Sequence, residues 1–439
     1  MRTKPLTFIL ILLLSLPLFV NLNLPAKAVF SSKSGVFVGV DVAYESILST
    51  EQTIDKVSSY TNVFILGCSG NYNLTRLTIL CQYVYDKGLS FIVYTDSGRY
   101  PSKQWFTNAT ALWGEKFQGI YFSDEEGGRV LDQQQYPAIT SADNYSDAAN
   151  KFTNYVSSWL HGNRSITARG FAYPNQYGLF TSDYGLYWYD YKAGYDTVFA
   201  EFAANYSRQL NVALCRGAAT AYNKDWGVMI TWTYRQPPYI ESGADLYRDM
   251  VLAYQNGAKY IIIFDTNKDY SQTILQQEHL DAMKQFWQYV QNNPRTITPT
   301  SSRTAYVLPT DYGYGFRGPN DSVWGLWKPD DLTGDICMNI SSLLTNFGEK
   351  MDIIYPDGPS PIQSLGYQNV LTWNDQQLAN KTTASQNSQT QQSTTLSDPE
   401  KGITQSEFNI LVVAAVIIVF VLGLAAVLKY KKKNELVNR

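Results

Sequence analysis

A (β/α)8 barrel with a small C-terminal α/β appendage, a stalk and one transmembrane helix is the architecture this sequence predicts. Three observations point to it. Eight short β-rich runs recur between residues 33 and 294, amphipathic stretches separate most of them, and acids stand at the ends of several runs. A doubly wound open sheet is the competing arrangement. No Gly-rich phosphate loop follows the first run, however, and eight is the number of strands that closes.

Taken in order, the chain opens MRTKPLTFILILLLSLPLFVNLNLPAKA. Two early basic residues, an apolar core and Ala26-Lys27-Ala28 predict a secretory signal over 1–28. The expected strands are VFVGV (36–40), NVFIL (62–66), SFIVYT (90–95), GIYFS (119–123), ITARGFAY (166–173), TVFAEF (197–202), GVMITWTY (227–234) and YIIIFD (260–265). Helical spacing of apolar residues follows most of them, for instance in NLTRLTILCQYVYDKG and GADLYRDMVLAYQNGA. After NPRTITPTSS, the segment 300–374 reads as strand, turn, helix and strand: TAYVLP, SVWGLW, DICMNISSLLTNFGEK, MDIIYPD.

The stretch 375–407 is rich in Gln, Ser, Thr and Asn and lacks the apolar residues a core needs, which predicts a flexible stalk. Ile410 to Leu428 is an unbroken apolar run long enough to span a bilayer. Lys429, Lys431, Lys432 and Lys433 follow, so the positive-inside rule puts the tail 429–439 in the cytoplasm and the rest outside the cell. Acceptor sequons at Asn73, Asn108, Asn144, Asn163, Asn205, Asn320, Asn339 and Asn380 agree with export. The expected localisation is a single-pass cell-membrane protein with an extracellular ectodomain.

Composition excludes some classes. A net charge of −3 gives no electrostatic case for nucleic acid. Two histidines and four cysteines without zinc-site spacing argue against a transition-metal centre, and no cofactor is expected. Cys68, Cys81, Cys215 and Cys337 allow three pairings, among which the sequence does not choose.

The candidate chemistry lies in FQGIYFSDEEGG (117–128). Asp124, Glu125 and Glu126 follow the fourth run, at the barrel end where active sites lie. Asp41, Asp96, Glu201 and Asp265 hold equivalent places. Strand alternation puts Tyr121, Ser123 and Glu125 on the lumenal face and pairs Phe199 with Glu201. Glu125 and Glu201 are therefore the expected catalytic pair, because glycoside hydrolysis needs two carboxylates across a cleft. Asp124, Glu126, Asp41, Asp96 and Asp265 are supporting or alternative acids. Tyr44, Tyr121, Tyr173, Trp188, Trp232 and Tyr234 supply rings on which sugar faces stack, and Arg169 is a candidate charge partner.

GIYFSDEE is similar to the fourth-strand acidic motifs of glycoside hydrolase barrels, and the ectodomain resembles those barrels in fold. The resemblance implies a nucleophile on the fourth strand and an acid on a later one, roles that fall on Glu125 (or Asp124) and Glu201. Families with glutamates on strands four and seven want an acid near Trp232, where this chain has Thr231-Trp232-Thr233. The chitinase-type D-x-x-D-x-D-x-E is absent, so no substrate is carried over. The expected function is a membrane-anchored glycosidase acting on poly- or oligosaccharides or glycoprotein glycans. The alternative is a non-catalytic barrel that binds glycan or supports the cell envelope.

Overall fold

The computed structural model describes residues 35–44, 46–67, 73–95, 101–133, 136–161 and 178–375. The expectations for the signal segment, for the stalk beyond Asp375, for the 410–428 span and for the basic tail lie outside these residues. Among the described residues no helix is long and apolar enough to cross a membrane.

Eight parallel strands close in sequence order: β1 (Phe37–Val42), β2 (Val63–Leu66), β3 (Ser90–Thr95), β4 (Phe117–Phe122), β5 (Gly178–Asp183), β6 (Thr197–Phe202), β7 (Asp225–Ile230) and β8 (Tyr260–Asp265). The barrel shuts where Gly39 of β1 registers with Ile262 of β8. Seven strands fall on or beside the runs expected for them. The fifth does not. Segment 166–173 lies outside the described residues, and the strand between β4 and β6 is Gly178–Asp183, paired Tyr121 with Phe180 and Ser182 with Phe199.

The lumen is filled by Val63, Ile65, Ile92, Tyr121, Phe180, Phe199, Met229, Tyr260 and Ile262, every one of them buried. Every strand but β1 supplies a buried side chain to this plug, so the barrel interior is a packed core and chemistry is confined to its rim. Stacked and edge-on rings, such as Tyr121 with Phe199 and Phe180 with Tyr260, account for much of its aromatic content.

Around the barrel run α1 (Ile47–Val57), α2 (Leu74–Asp86), α3 (Lys103–Trp113), α4 (Glu126–Asp132), α5 (Tyr145–His161), α6 (Tyr187–Ala193), α7 (Arg208–Tyr222), α8 (Gly243–Gln255) and α9 (Gln277–Asn292). Many begin where the sequence offers a cap. Ser46, Asn73, Ser102, Ser207 and Ser242 each accept a backbone N–H three residues on, which satisfies an otherwise orphan donor.

The appendage is a three-stranded parallel sheet in the order β10 (Met351–Ile354), β9 (Thr304–Val307), β11 (Asn369–Thr372), with α10 (Asp331–Phe347) joining β9 to β10. SVWGLW, read as the turn, is a loop with isolated bridges, Val323 to Tyr314 and Val323 to Trp327. A buried ion-pair network ties the sheet to the barrel. Arg216 of α7 donates to Asp352 at 2.7 Å and to the carbonyls of Glu349 and Met351, and Arg303 donates to the other Asp352 oxygen at 2.6 Å. Cys81, Cys215 and Cys337 carry free thiols, and Cys68 lies outside the described residues.

Candidate active site

The acids meet at the C-terminal rim, arranged by an irregular turn. β4 ends at Phe122, and Ser123 (φ 49°) and Glu125 (φ 60°) both adopt the left-handed conformation that side chains disfavour. The turn is held from β5 and beyond. Glu125 N–H donates to the Ser182 carbonyl at 2.9 Å, the Thr181 hydroxyl donates to the Ser123 carbonyl, and the Tyr195 hydroxyl donates to the Phe122 carbonyl.

This backbone overturns the alternation expected after Tyr121. Asp124, rather than Glu125, reaches the lumen mouth, where it lines a pocket of about 40 Å³ with Asp41, Ala43, Gly67, Tyr94, Tyr121, Phe264 and Tyr270. Glu125 stands beside it on the rim, its side chain 38% exposed. Arg129 joins the two: its guanidinium lies 3.4 Å from Asp124 and 3.8 Å from Glu125. Partial burial, then the charge of Asp124, push the Glu125 carboxyl up to about 7, against the pull of Arg129.

Glu126 turns away. Ser123 Oγ donates to it at 2.7 Å, the Tyr136 hydroxyl donates to its other oxygen, and Arg129 lies 3.7 Å off. It anchors the turn. The glycines that follow serve a neighbour. A Cβ on Gly127 would stand 2.5 Å from the Gly185 carbonyl, and one on Gly128 would stand 2.2 Å from the Tyr184 ring. The loop after β5 packs on the start of α4, and only bare backbone leaves it room.

The same loop brings a residue that the sequence did not single out. Asp183, buried at the end of β5, accepts from the amides of Gly127 (2.6 Å), Gly128 (2.7 Å), Tyr184 (2.7 Å) and Gly185 (3.0 Å). Burial pushes it up to about 7 although four amides pull it down. Asp190 of α6 is buried nearby, raised well above the carboxylate range by burial and the charge of Asp183, with one oxygen lacking a hydrogen-bond partner. The signal available for Asp183 was its place at a strand end, hidden because the fifth strand was sought elsewhere.

Asp41 is 4% exposed, and its Oδ1 has no hydrogen-bond partner although it borders the pocket. Burial, then Asp124 and Asp265, drive its carboxyl well above the usual range. Glu201 shares the lumenal face of Phe199 as expected, but it lies beneath the rim, 5% exposed, and does not line the pocket. Ser182 Oγ donates to it at 2.6 Å and the Tyr121 hydroxyl in turn donates to Ser182 at 2.7 Å. Burial and then Glu125 raise it well above the ordinary range. Asp265 is committed to its own loop, accepting from Thr273 and the Ile274 amide.

Two of the expected stacking rings are corrected. Tyr44 is fully buried with its hydroxyl between Thr53 and Asp265, so it braces β8 against α1 and meets no ligand. Trp188 packs on Tyr222 and Tyr355 with its N–H on Asp357, at the seam with the appendage. Trp232 stays at the rim, leaning on Phe264 and Tyr239, and Tyr234 is exposed in the same loop. Asp96, Arg169 and Tyr173 lie outside the described residues. Among the described residues no group of three or more metal-ligating side chains comes together.

No family model matches this chain, and no curated protein matches it. Solved structures match its shape. The α-L-fucosidase isoenzyme 2 from Paenibacillus thiaminolyticus aligns with a TM-score of 0.46 and 11% identity, over 76% of this chain and 59% of its own length. A GH5-4 broad-specificity endoglucanase from an uncultured bacterium gives 0.38 and 8% over 58% of this chain and 94% of its own, and the GH99 endo-α-mannosidase from Bacteroides thetaiotaomicron gives 0.34 and 10% over 56% and 79%. The match thus spans less than two thirds of the fucosidase. The closed eight-stranded parallel barrel is given by the strand order of this chain itself.

Proposed function

We propose that the chain is a glycoside hydrolase whose working carboxyls are Asp124 and Glu125. One observation carries this reading: at the C-terminal rim, a pocket-lining carboxylate and a second carboxyl poised at about 7 lie against one guanidinium, that of Arg129. Glycosidic cleavage needs two such groups some 5–10 Å apart, one ionised and one protonated. Asp124, ion-paired with Arg129, attacks the sugar or activates water. Glu125 keeps its proton near neutrality and delivers it to the leaving oxygen. Glu201, beneath the rim, positions Tyr121 through Ser182 rather than meeting substrate. The test is hydrolysis of a glycan panel by the full chain. Release of reducing ends that Asp124→Asn and Glu125→Gln both abolish supports the reading. Wild-type binding without cleavage leaves a glycan-binding barrel.

The protein also acts, in this reading, at the cell surface, exported by 1–28 and anchored through 410–428 in the bilayer. The sequence supports this, and the sequon residues Asn73, Asn108, Asn144, Asn205 and Asn320 are exposed, as export and glycosylation would require. Protease added to intact cells sheds the ectodomain if the topology is right and leaves it intact if it is not.

A further inference from the structure

We propose that the pocket between Asp41 and Asp124 selects sugars bearing a free amine, so that the substrate class is an amino sugar rather than a neutral or acidic one. This deepens the glycosidase reading and rests on it for the catalytic step, though not for binding.

Two features of the pocket carry the inference. The first is charge. Its lining holds two carboxyls, Asp41 and Asp124, and among the described residues no lysine or arginine. Arg129 touches Asp124 from the α4 side, Glu125 adds acid at the rim, and the buried Asp265 adds to the charge felt by Asp41. The second is the state of Asp41. Its carboxyl is almost wholly buried, yet Oδ1 has no partner. A buried carboxylate oxygen without a donor costs free energy that a hydrogen-bonding cation restores.

An ammonium group answers both. It brings donors for Oδ1 and a positive charge between two carboxyls that otherwise repel. The remaining walls suit it, since Tyr94, Tyr121, Phe264 and Tyr270 are rings whose faces attract cations and stack on sugar. An N-acetyl group replaces the charge with a bulkier neutral amide. A uronate puts a third carboxylate into a space of about 40 Å³, where like charges exclude it. Asp41 serves recognition alone, while Asp124 both faces the amine and reacts with Glu125.

The experiment titrates the full chain calorimetrically with D-glucosamine and D-galactosamine, beside their N-acetyl and uronic acid counterparts. At least one free amine should bind 10-fold or more tighter than its N-acetyl form, uronates should not compete, and the preference should shrink as salt rises. Asp41→Asn should erase the preference while the thermal unfolding midpoint shows a folded protein. Should Asp41→Asn fail to fold, the salt dependence on the wild type still decides. Equal or tighter binding of N-acetyl sugars or uronates overturns the amine assignment and leaves the glycosidase reading standing. Amine binding without cleavage of any hexosamine oligomer upholds the assignment and sinks the hydrolase reading. No binding of any of these sugars overturns the assignment.

Discussion

Burial and Asp124 outweigh Arg129 and push the Glu125 carboxyl up to about 7, so a sizeable fraction stays protonated at neutral pH. If it is the acid, turnover falls as pH rises through about 7, since the deprotonated form has no proton to give. Glu125→Gln should lower kcat by about 10²–10⁴-fold and remove that alkaline limb, measured as a pH–rate profile of wild type and variant. An unchanged limb in the variant would assign the titration elsewhere. Glu201→Gln makes a useful contrast. It keeps the shape that Ser182 and Tyr121 lean on, so the alkaline limb should remain and any loss of rate should be smaller than for Glu125→Gln.

At the scale of elements, the rim depends on a contact between neighbours: α4 starts on the carboxylate of Asp183, which belongs to β5. Asp183→Ala strips four amides of their acceptor and should destabilise the fold by about 2–4 kcal/mol in denaturant titration, with activity lost alongside. Gly127→Ala drives a methyl at the Gly185 carbonyl and should cost about 1–3 kcal/mol. This pairing also explains what was legible beforehand. Runs such as YIIIFD and TVFAEF are dense in branched and aromatic residues, so strand, face and rim position followed from the pattern alone. GLFTSD has only Leu179 and Phe180 to announce it, whereas ITARGFAY looked more like a strand. The side on which Asp124 and Glu125 fall depends on left-handed backbone at Ser123 and Glu125, which period-two alternation does not encode. Tyr44 and Trp188 were misplaced for a different reason. An aromatic near a strand end reads the same whether its partner is a sugar or a buried aspartate.

For the molecule as a whole, several buried and half-buried acids set the response to pH. Glu125 and Asp183 are held at about 7 and Glu241 at about 8, burial being the largest cause for each. The folded state therefore binds protons that the unfolded chain has released above the ordinary carboxylate range. Stability from these groups is fully present at low pH and is lost as pH rises through about 7 to 8. The melting temperature should fall between pH 5 and pH 8.5. A flat or rising profile over that window would show that these acids are ionised in the folded protein. The Asp352 network makes the second prediction at this scale. Asp352→Ala leaves Arg216 and Arg303 buried without their carboxylate and should cost about 3–5 kcal/mol by denaturant unfolding.

That network also decides how separable the parts are. Arg216 belongs to a barrel helix, yet its carboxylate and two of its carbonyl acceptors come from the appendage. A gene cut near residue 300 would yield a barrel whose Arg216 and the face around it are uncovered and stripped of these acceptors, while the excised sheet would leave Asp352 with only Arg303 and Tyr367. Neither piece is a portable module. Calorimetry of the barrel together with its appendage should show one cooperative transition, and recombination that swaps the appendage alone should fail unless the arginine moves with it.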